Sequence, residues 1–278
     1  LPAIAHLADG PGWRWASGTV TAFALLLVPL VLLLMRDRPT DVDTTPYGAP
    51  DDWRAPPPAR GDVGAATVAV RTLKDSARSR TFWILFGTFW ICGWSTNGLI
   101  GTHFIPAAHD HGLPATTSAS LLALIGVFDI VGTIASGWLT DRVDSRYLLC
   151  IYYFFRGLSL LAVPYLLAET VHPSLFLFIV FYGLDWVATV PPTVALCREH
   201  FGIERAGVVF GWVFAAHMVG AGVAASYAGW IRQTNGDYYV AWLTAGGLCI
   251  AAAAACLMIP RTGRAEPADI GEPVTDSM

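Results

Sequence analysis

Four ionisable side chains, Asp129, Arg156, Asp185 and His217, lie inside long apolar stretches of a 278-residue chain. Groups of these types could carry a proton, form a buried ion pair or hold an anion. At the middle of a bilayer each costs roughly 2.5–3.5 kcal/mol on insertion scales, so each needs a partner, a watery cavity or neutralisation. At helical spacing Gly126, Asp129, Thr133, Ser136 and Thr140 fall on one stripe, which suits a cavity wall or a helix contact. Asp129 is read either as a proton carrier or as a permanent ion-pair partner of Arg156. Arg156, on a face with Tyr152, Ser159 and Val163, is expected to pair with Asp129 or Asp185, with anion binding as the alternative. Tyr182, Asp185, Thr189 and Pro192 form another stripe, and Pro191-Pro192 must release carbonyls from the helical ladder. Broken helices at membrane depth survive only inside protein or against water, so this one either lines a pathway or is a plain kink. His217, among Phe210, Phe214, Gly220 and Ala221, is a proton relay or a hydrogen bond between helices. Trp94 and Asn97, on a face with Gly87, Trp90 and Gly101, either stack on and bond a ligand or pack, with Asn97 joining helices.

The elements that must position these groups follow from composition. Hydrophobic residues make up 54% of the chain and charged residues 14%, with a mean hydropathy of +0.51. Soluble domains carry about a quarter charged residues, so a water-exposed globule, disorder and a disulfide scaffold are all disfavoured. With a net charge of −4 and Lys74 as the single lysine, no basic face for nucleic acid exists. Cys92, Cys150, Cys197, Cys249 and Cys256 form no C-x-x-C and read as small buried hydrophobes. His109-Asp110-His111 has metal-like spacing but reads as a solvated loop, and neither a metal nor a cofactor is expected.

A membrane helix needs about 20 apolar residues. Seven segments qualify: Ala16 to Met35, Thr81 to Ala108, Leu113 to Thr140, Tyr147 to Ala168, Pro173 to Cys197, Ala206 to Ile231 and Tyr238 to Pro260. Of the seventeen Lys and Arg, fourteen fall in connections on one side, Arg14 and Arg232 on the other, and Arg156 within a span. Positive charge marks the cytoplasmic face, which places the N-terminus outside, the C-terminus inside, and the chain in the cell (inner) membrane. Residues 1–35 then hold the outer approach and first span, and 36–80 a cytoplasmic proline-rich linker with Pro39, Pro46, Pro50 and Pro56 to Pro58. Residues 81–260 make a six-helix bundle, and 261–278 a polar, disordered cytoplasmic tail.

After the third span the run Gly137-Trp-Leu139-Thr140-Asp141-Arg142-Val-Asp-Ser-Arg146 has the form G-x-L-x-D-R-x-x-x-R. This resembles the cytoplasmic loop signature of the major facilitator superfamily. Gly12-Trp13-Arg14, a span, then Arg36-Asp-Arg38-Pro39 resembles the passage through helix 6 into that family's central loop, and six spans follow it. The resemblance covers nearly the whole chain. It implies an all-α membrane protein whose seven transmembrane helices correspond to helix 6 plus the C-terminal six-helix bundle of a twelve-helix transporter. It also implies a chain that is a partial sequence, whose partners include the missing N-terminal half. Gly126-Val-Phe-Asp129-Ile-Val-Gly132 and Pro191-Pro192-Thr193 look most like bacterial members near the monocarboxylate porters, which carry arginine where this sequence has Thr133. Gly137-Trp138-Leu139 and Gly229-Trp230-Ile231 close the second helix of successive triplets, an echo of inverted repeats.

On this resemblance the chain serves secondary active transport of a small, anionic or amphiphilic solute by alternating access, coupled to protons. Its partners are then the lipid bilayer, a small-molecule solute and the proton. Trp94, Asn97, Asp129, Asp185 and His217 would line the solute and proton pathway, and Arg156 would hold an intramembrane ion pair. Gly137, Asp141, Arg142 and Arg146 would form the cytoplasmic gating loop. A seven-helix receptor or sensor is the competing class, since seven spans with an outer N-terminus match it. An enzyme is not expected, because H-E-x-x-H, G-x-S-x-G and a P-loop are missing.

Overall fold

A computed structural model describes residues 2–36, 38–45, 49–50, 53–54 and 64–261. In lipid a backbone must satisfy its own hydrogen bonds, and among the described residues the regular structure is helical throughout. Contacts divide the chain into two units, residues 1–68 and 69–278.

In the first unit, α1 (Pro2–Asp9) turns at Gly12, whose φ of 108° favours glycine, into α2 (Trp13–Leu34). The side chains of α2 are exposed along the span, Phe23, Leu25 and Leu32 among them. A short 3-10 turn follows at Pro39–Val42. Pro46, Pro56, Pro57 and Pro58 of the expected linker, and the tail beyond residue 261, lie outside the described residues. Within the expected linker the structure forms a helix, α3 (Ala65–Ser76). Its alanines favour helix, Leu73 reaches apolar neighbours, and Trp212 donates to the Ala69 carbonyl at 3.0 Å.

The second unit is the bundle. The segment expected to span from Thr81 to Ala108 is α4 (Arg80–Gly93), a π-helical stretch (Trp94–Ile100) and α5 (Gly101–Asp110), with right-handed helical dihedrals at both joins. Hydroxyls return to the backbone through this stretch: Ser95 to the Ile91 carbonyl at 3.0 Å, Thr96 to Cys92 at 2.7 Å and Thr102 to Asn97 at 2.9 Å. There follow α6 (Ala115–Thr140), α7 (Ser145–Leu166), α8 (Pro173–Asp185), α9 (Val190–Phe201), α10 (Ile203–Asn235) and α11 (Tyr239–Cys256). Six helices among the described residues are long and apolar enough to cross a membrane, α8 and α9 counting as one.

The principal helix pairs are α7 with α11, α4 with α10, and α6 with α8. Two of them depend on absent side chains. A Cβ on Gly132 would strike the Leu184 carbonyl, and one on Gly220 the Trp90 carbonyl. Small residues at such crossings let backbones approach in lipid, where apolar burial alone gives no drive.

Two apolar clusters fill the bundle. One contains Phe104, Leu113, Leu175, Ile179, Ala228 and Trp242; the other contains Phe82, Leu85, Leu149, Cys197, Val209 and Cys256. On α7, on the α8–α9 segment and on α10, the transition between clusters falls at Arg156, at Asp185 to Thr189, and at His217. A polar layer therefore crosses the bundle between two apolar ones.

Candidate functional site

The layer is built around a helix break. Helix α8 ends at Asp185, residues 186–189 form a turn, and α9 begins at Val190 with Pro191 and Pro192 in its first turn. The prolines lie just beyond the break. They donate no backbone hydrogen bond and fix the start of α9, so the carbonyls preceding them need other donors. The Ala188 carbonyl accepts from the Ser136 hydroxyl of α6 at 2.5 Å. The Asp185 and Trp186 carbonyls accept from Nη2 of Arg156 at 2.5 and 3.2 Å. The freed Val187 N–H donates to Oδ1 of Asp129 at 2.9 Å, and Thr133 donates to the same oxygen at 3.1 Å.

Arg156 is 1% exposed. Its Nε meets Oδ2 of Asp185 at 2.6 Å, its Nη1 meets Sγ of Cys92 at 3.1 Å, and its guanidinium lies 5.6 Å from the Tyr153 ring. Of the two expected partners, the structure pairs Arg156 with Asp185; Asp129 instead caps the broken helix. Oδ1 of Asp185 is buried and accepts no hydrogen bond.

The expectation for Cys92 needs correction. It is buried, but it is a polar node rather than a simple hydrophobe, because Sγ also contacts Oγ1 of Thr189 at 3.4 Å. His217 of α10 is an electrostatic neighbour of that thiol. The His217 ring stacks on Phe214 at 5.4 Å and packs against Phe89 at 5.2 Å, and its Nδ1 has no partner. Tyr153 and Tyr182 donate to the Thr88 and Ser95 carbonyls, both at 2.8 Å. The layer thus links His217, Cys92, Arg156, Asp185 and Asp129 from α10 across to α6.

Trp94 and Asn97 do not share a face. Trp94 is buried between Trp90, at 5.0 Å, and Tyr227, at 5.3 Å, whereas Asn97 is the exposed residue of the π stretch. A π turn rotates the register, so an α-helical spacing rule fails there. Sequence reading also passed over His103, whose ring joins α5 to the Tyr238 hydroxyl at 3.2 Å and the Ala225 carbonyl at 2.8 Å. Its neighbourhood of apolar residues gave the same signal as His217. At the end of α5 Asp110 is held by Arg232 at 2.7 and 2.8 Å, and the Nδ1 of His111 by the Ala107 carbonyl at 2.8 Å. The Arg232 guanidinium holds the Asp110 carboxyl below the usual carboxylate range.

At the opposite end Gly137 is half-buried near the end of α6 and Asp141 is exposed. Arg142 folds back onto α6, donating to the Trp138 carbonyl at 2.9 Å with its guanidinium 4.0 Å from that ring. Asp144 caps α7, accepting from the Arg146 backbone N–H at 3.0 Å. The reason is position: Asp144 directly precedes α7. Arg146 grips Asp144 at 2.6 Å and donates to the Ile259 carbonyl at 2.9 Å, tying the loop to the end of α11. Its guanidinium keeps the Asp144 carboxyl below the ordinary range.

The arrangement can bind and exchange protons, and a backbone segment whose hydrogen bonds come from other helices can move relative to them. The uncharacterized MFS-type transporter YcxA of Bacillus subtilis is 33% identical over 172 residues, covering 57% of this chain and 41% of that protein. Monocarboxylate transporter 13 of Rattus norvegicus is 30% identical over 171 residues, covering 58% of this chain and 39% of that protein. The chain spans about two fifths of the length of these relatives. The crystal structure of the E. coli fucose:proton symporter FucP shares the fold at 15% identity, with a TM-score of 0.59, over 92% of this chain and 56% of that one. The family model of the Major Facilitator Superfamily matches residues 1–225, and the chain belongs to that superfamily.

Proposed function

We propose that this chain forms helix 6 and the C-terminal bundle of a twelve-helix, proton-coupled secondary transporter for a small anionic or amphiphilic solute. The segment from Arg80 to Asp110 then makes the seventh span despite its π stretch. The N-terminus lies outside, and residues 36–80 and the C-terminus are cytoplasmic in the inner membrane. Monocarboxylate appears in the names of several relatives, which supports an anionic solute. A receptor reading has no support, since the family and the relatives are transporters.

In this reading Asp129 carries the proton. The supporting observation is the Val187 N–H···Asp129 bond at 2.9 Å, which couples the carboxylate to the broken helix. A charged carboxylate holds an N–H more strongly than a neutral acid does, so protonation loosens the break. Arg156, anchored on Asp185 and two carbonyls, keeps the other side of the break fixed. Asn97 on the seventh span, with Asp185 and His217, lines the solute and proton route, and Trp94 packs between Trp90 and Tyr227. The loop of Gly137, Asp141, Arg142 and Arg146 gates the cytoplasmic end.

Asp129→Asn in the full-length protein tests the proposal. Proton-driven uptake in proteoliposomes should fall to background while solute counterflow, which needs no net proton movement, persists. Uptake that keeps its normal pH dependence in the variant would remove the proton role.

A further inference from the structure

We infer that a cavity between α7 and α8 binds lipophilic ammonium compounds that enter from the bilayer. The cavity shares Asp185 with the proposed route, but the inference concerns binding and does not depend on transport. Its volume is about 410 Å³, within the range of about 300–1,000 Å³ usual for small-molecule sites. Phe155, Leu158, Leu177 and Phe181 form its mouth and are between 43% and 57% exposed. These side chains are apolar and exposed, which suits an opening onto hydrocarbon.

The Arg156–Asp185 pair lies at the inner end. The partners differ in what they offer a ligand: the Asp185 side chain retains 12% exposure and that of Arg156 none. Four of the five N–H groups of the guanidinium are also engaged, by Asp185, Cys92 and two carbonyls. A carboxylate has about four acceptor positions. Asp185 fills one of them, with Nε of Arg156, and its Oδ1 fills none. Oδ1 is itself buried, so a ligand reaches this carboxylate through the part of the side chain that stays exposed, and it meets no exposed cation.

The walls point to the same chemistry. Phe155, Phe178, Phe181 and Tyr182 line the cavity, and ring faces attract ammonium groups, the more so when desolvated. Asp129 is an electrostatic neighbour of Asp185, so two carboxylates lie near one guanidinium. An anion would be repelled there. A neutral alcohol could make the hydrogen bond but would gain neither the ring nor the charge attraction. A protonated amine on an apolar body satisfies all three features.

The test is binding of tritiated 4-phenylbutylamine to the full-length protein in nanodiscs, with the matching alcohol and carboxylate, 4-phenylbutanol and 4-phenylbutyrate, as competitors. The amine should bind saturably, the alcohol should compete about tenfold more weakly, and the carboxylate should not compete. Ala162→Trp, which fills the cavity without touching the ion pair, should reduce binding about tenfold or more. Asp185→Asn should do the same; should it fail to fold, Ala162→Trp decides. Non-saturable uptake, equal competition by the alcohol or carboxylate, or wild-type binding by Ala162→Trp would each overturn the site.

Discussion

Arg156 joins the thiol of Cys92, 64 positions before it, to the carboxylate of Asp185 and the carbonyls of the helix break, 29 and 30 positions after it. Removing one member of a buried pair leaves an uncompensated charge, whereas replacing both with apolar residues does not. Arg156→Met should therefore lower stability by about 3–5 kcal/mol, and Arg156→Met combined with Asp185→Leu should recover much of that loss. Thermal unfolding of the full-length protein in detergent measures both; a double variant no better than the single would contradict the pairing. Cys92→Ser should retain an acceptor for Nη1. Cys92→Val should strand it, at about 1–3 kcal/mol, and equal melting of the two would show that the thiol bond contributes nothing. Asp129, Arg156, Asp185 and His217 were legible because a charged or basic residue in an apolar run stands out. Cys92 was not, since an apolar run gives a cysteine no local mark, and its polar role comes from an arginine 64 positions away.

Helices were legible from apolar length, and their departures from ideal form were less so. The doublet Pro191-Pro192 signalled a break, but the break sits upstream at 186–189, where Ser136 and Arg156 donate to freed carbonyls and Asp129 accepts from a freed N–H. The π stretch gave no signal beyond Ser95 and Thr96, and it separated Trp94 from Asn97. In the linker, α3 appeared where proline content suggested none, because the prolines end before Ala65. Gly132→Leu should separate α6 from α8 and destabilise the protein, since a side chain there meets the Leu184 backbone. A melting temperature equal to that of the wild type would argue against this contact. The C-terminal end of α5 is clasped to α10 by Asp110 and Arg232. The folded Asp110 carboxyl lies below its ordinary range, so the clasp contributes fully above the unfolded value and is lost as pH falls through the folded one. Spin labels at His109 and Asn235 should keep one distance from about pH 8 to about pH 5 and spread only below about pH 4. Spreading near neutral pH would show that another group controls this end.

At the scale of the molecule, a polar layer between two apolar clusters is the feature that composition alone could not place. The hydropathy pattern gave most of the long apolar helices, but the depth alignment of Arg156, Asp185 and His217 emerges only when three helices are packed together. Reporter fusions in residues 36–80 should read as cytoplasmic, and a periplasmic signal would invert the assignment. The central claim is that Asp129 at the helix break converts proton binding into movement of the bundle. Simultaneous recording of solute and proton flux in proteoliposomes tests it most directly. Adding solute outside should draw protons inward together with the solute in the wild-type protein, and Asp129→Asn should exchange labelled solute with no proton movement. Proton flux that continues unchanged in Asp129→Asn would contradict the account.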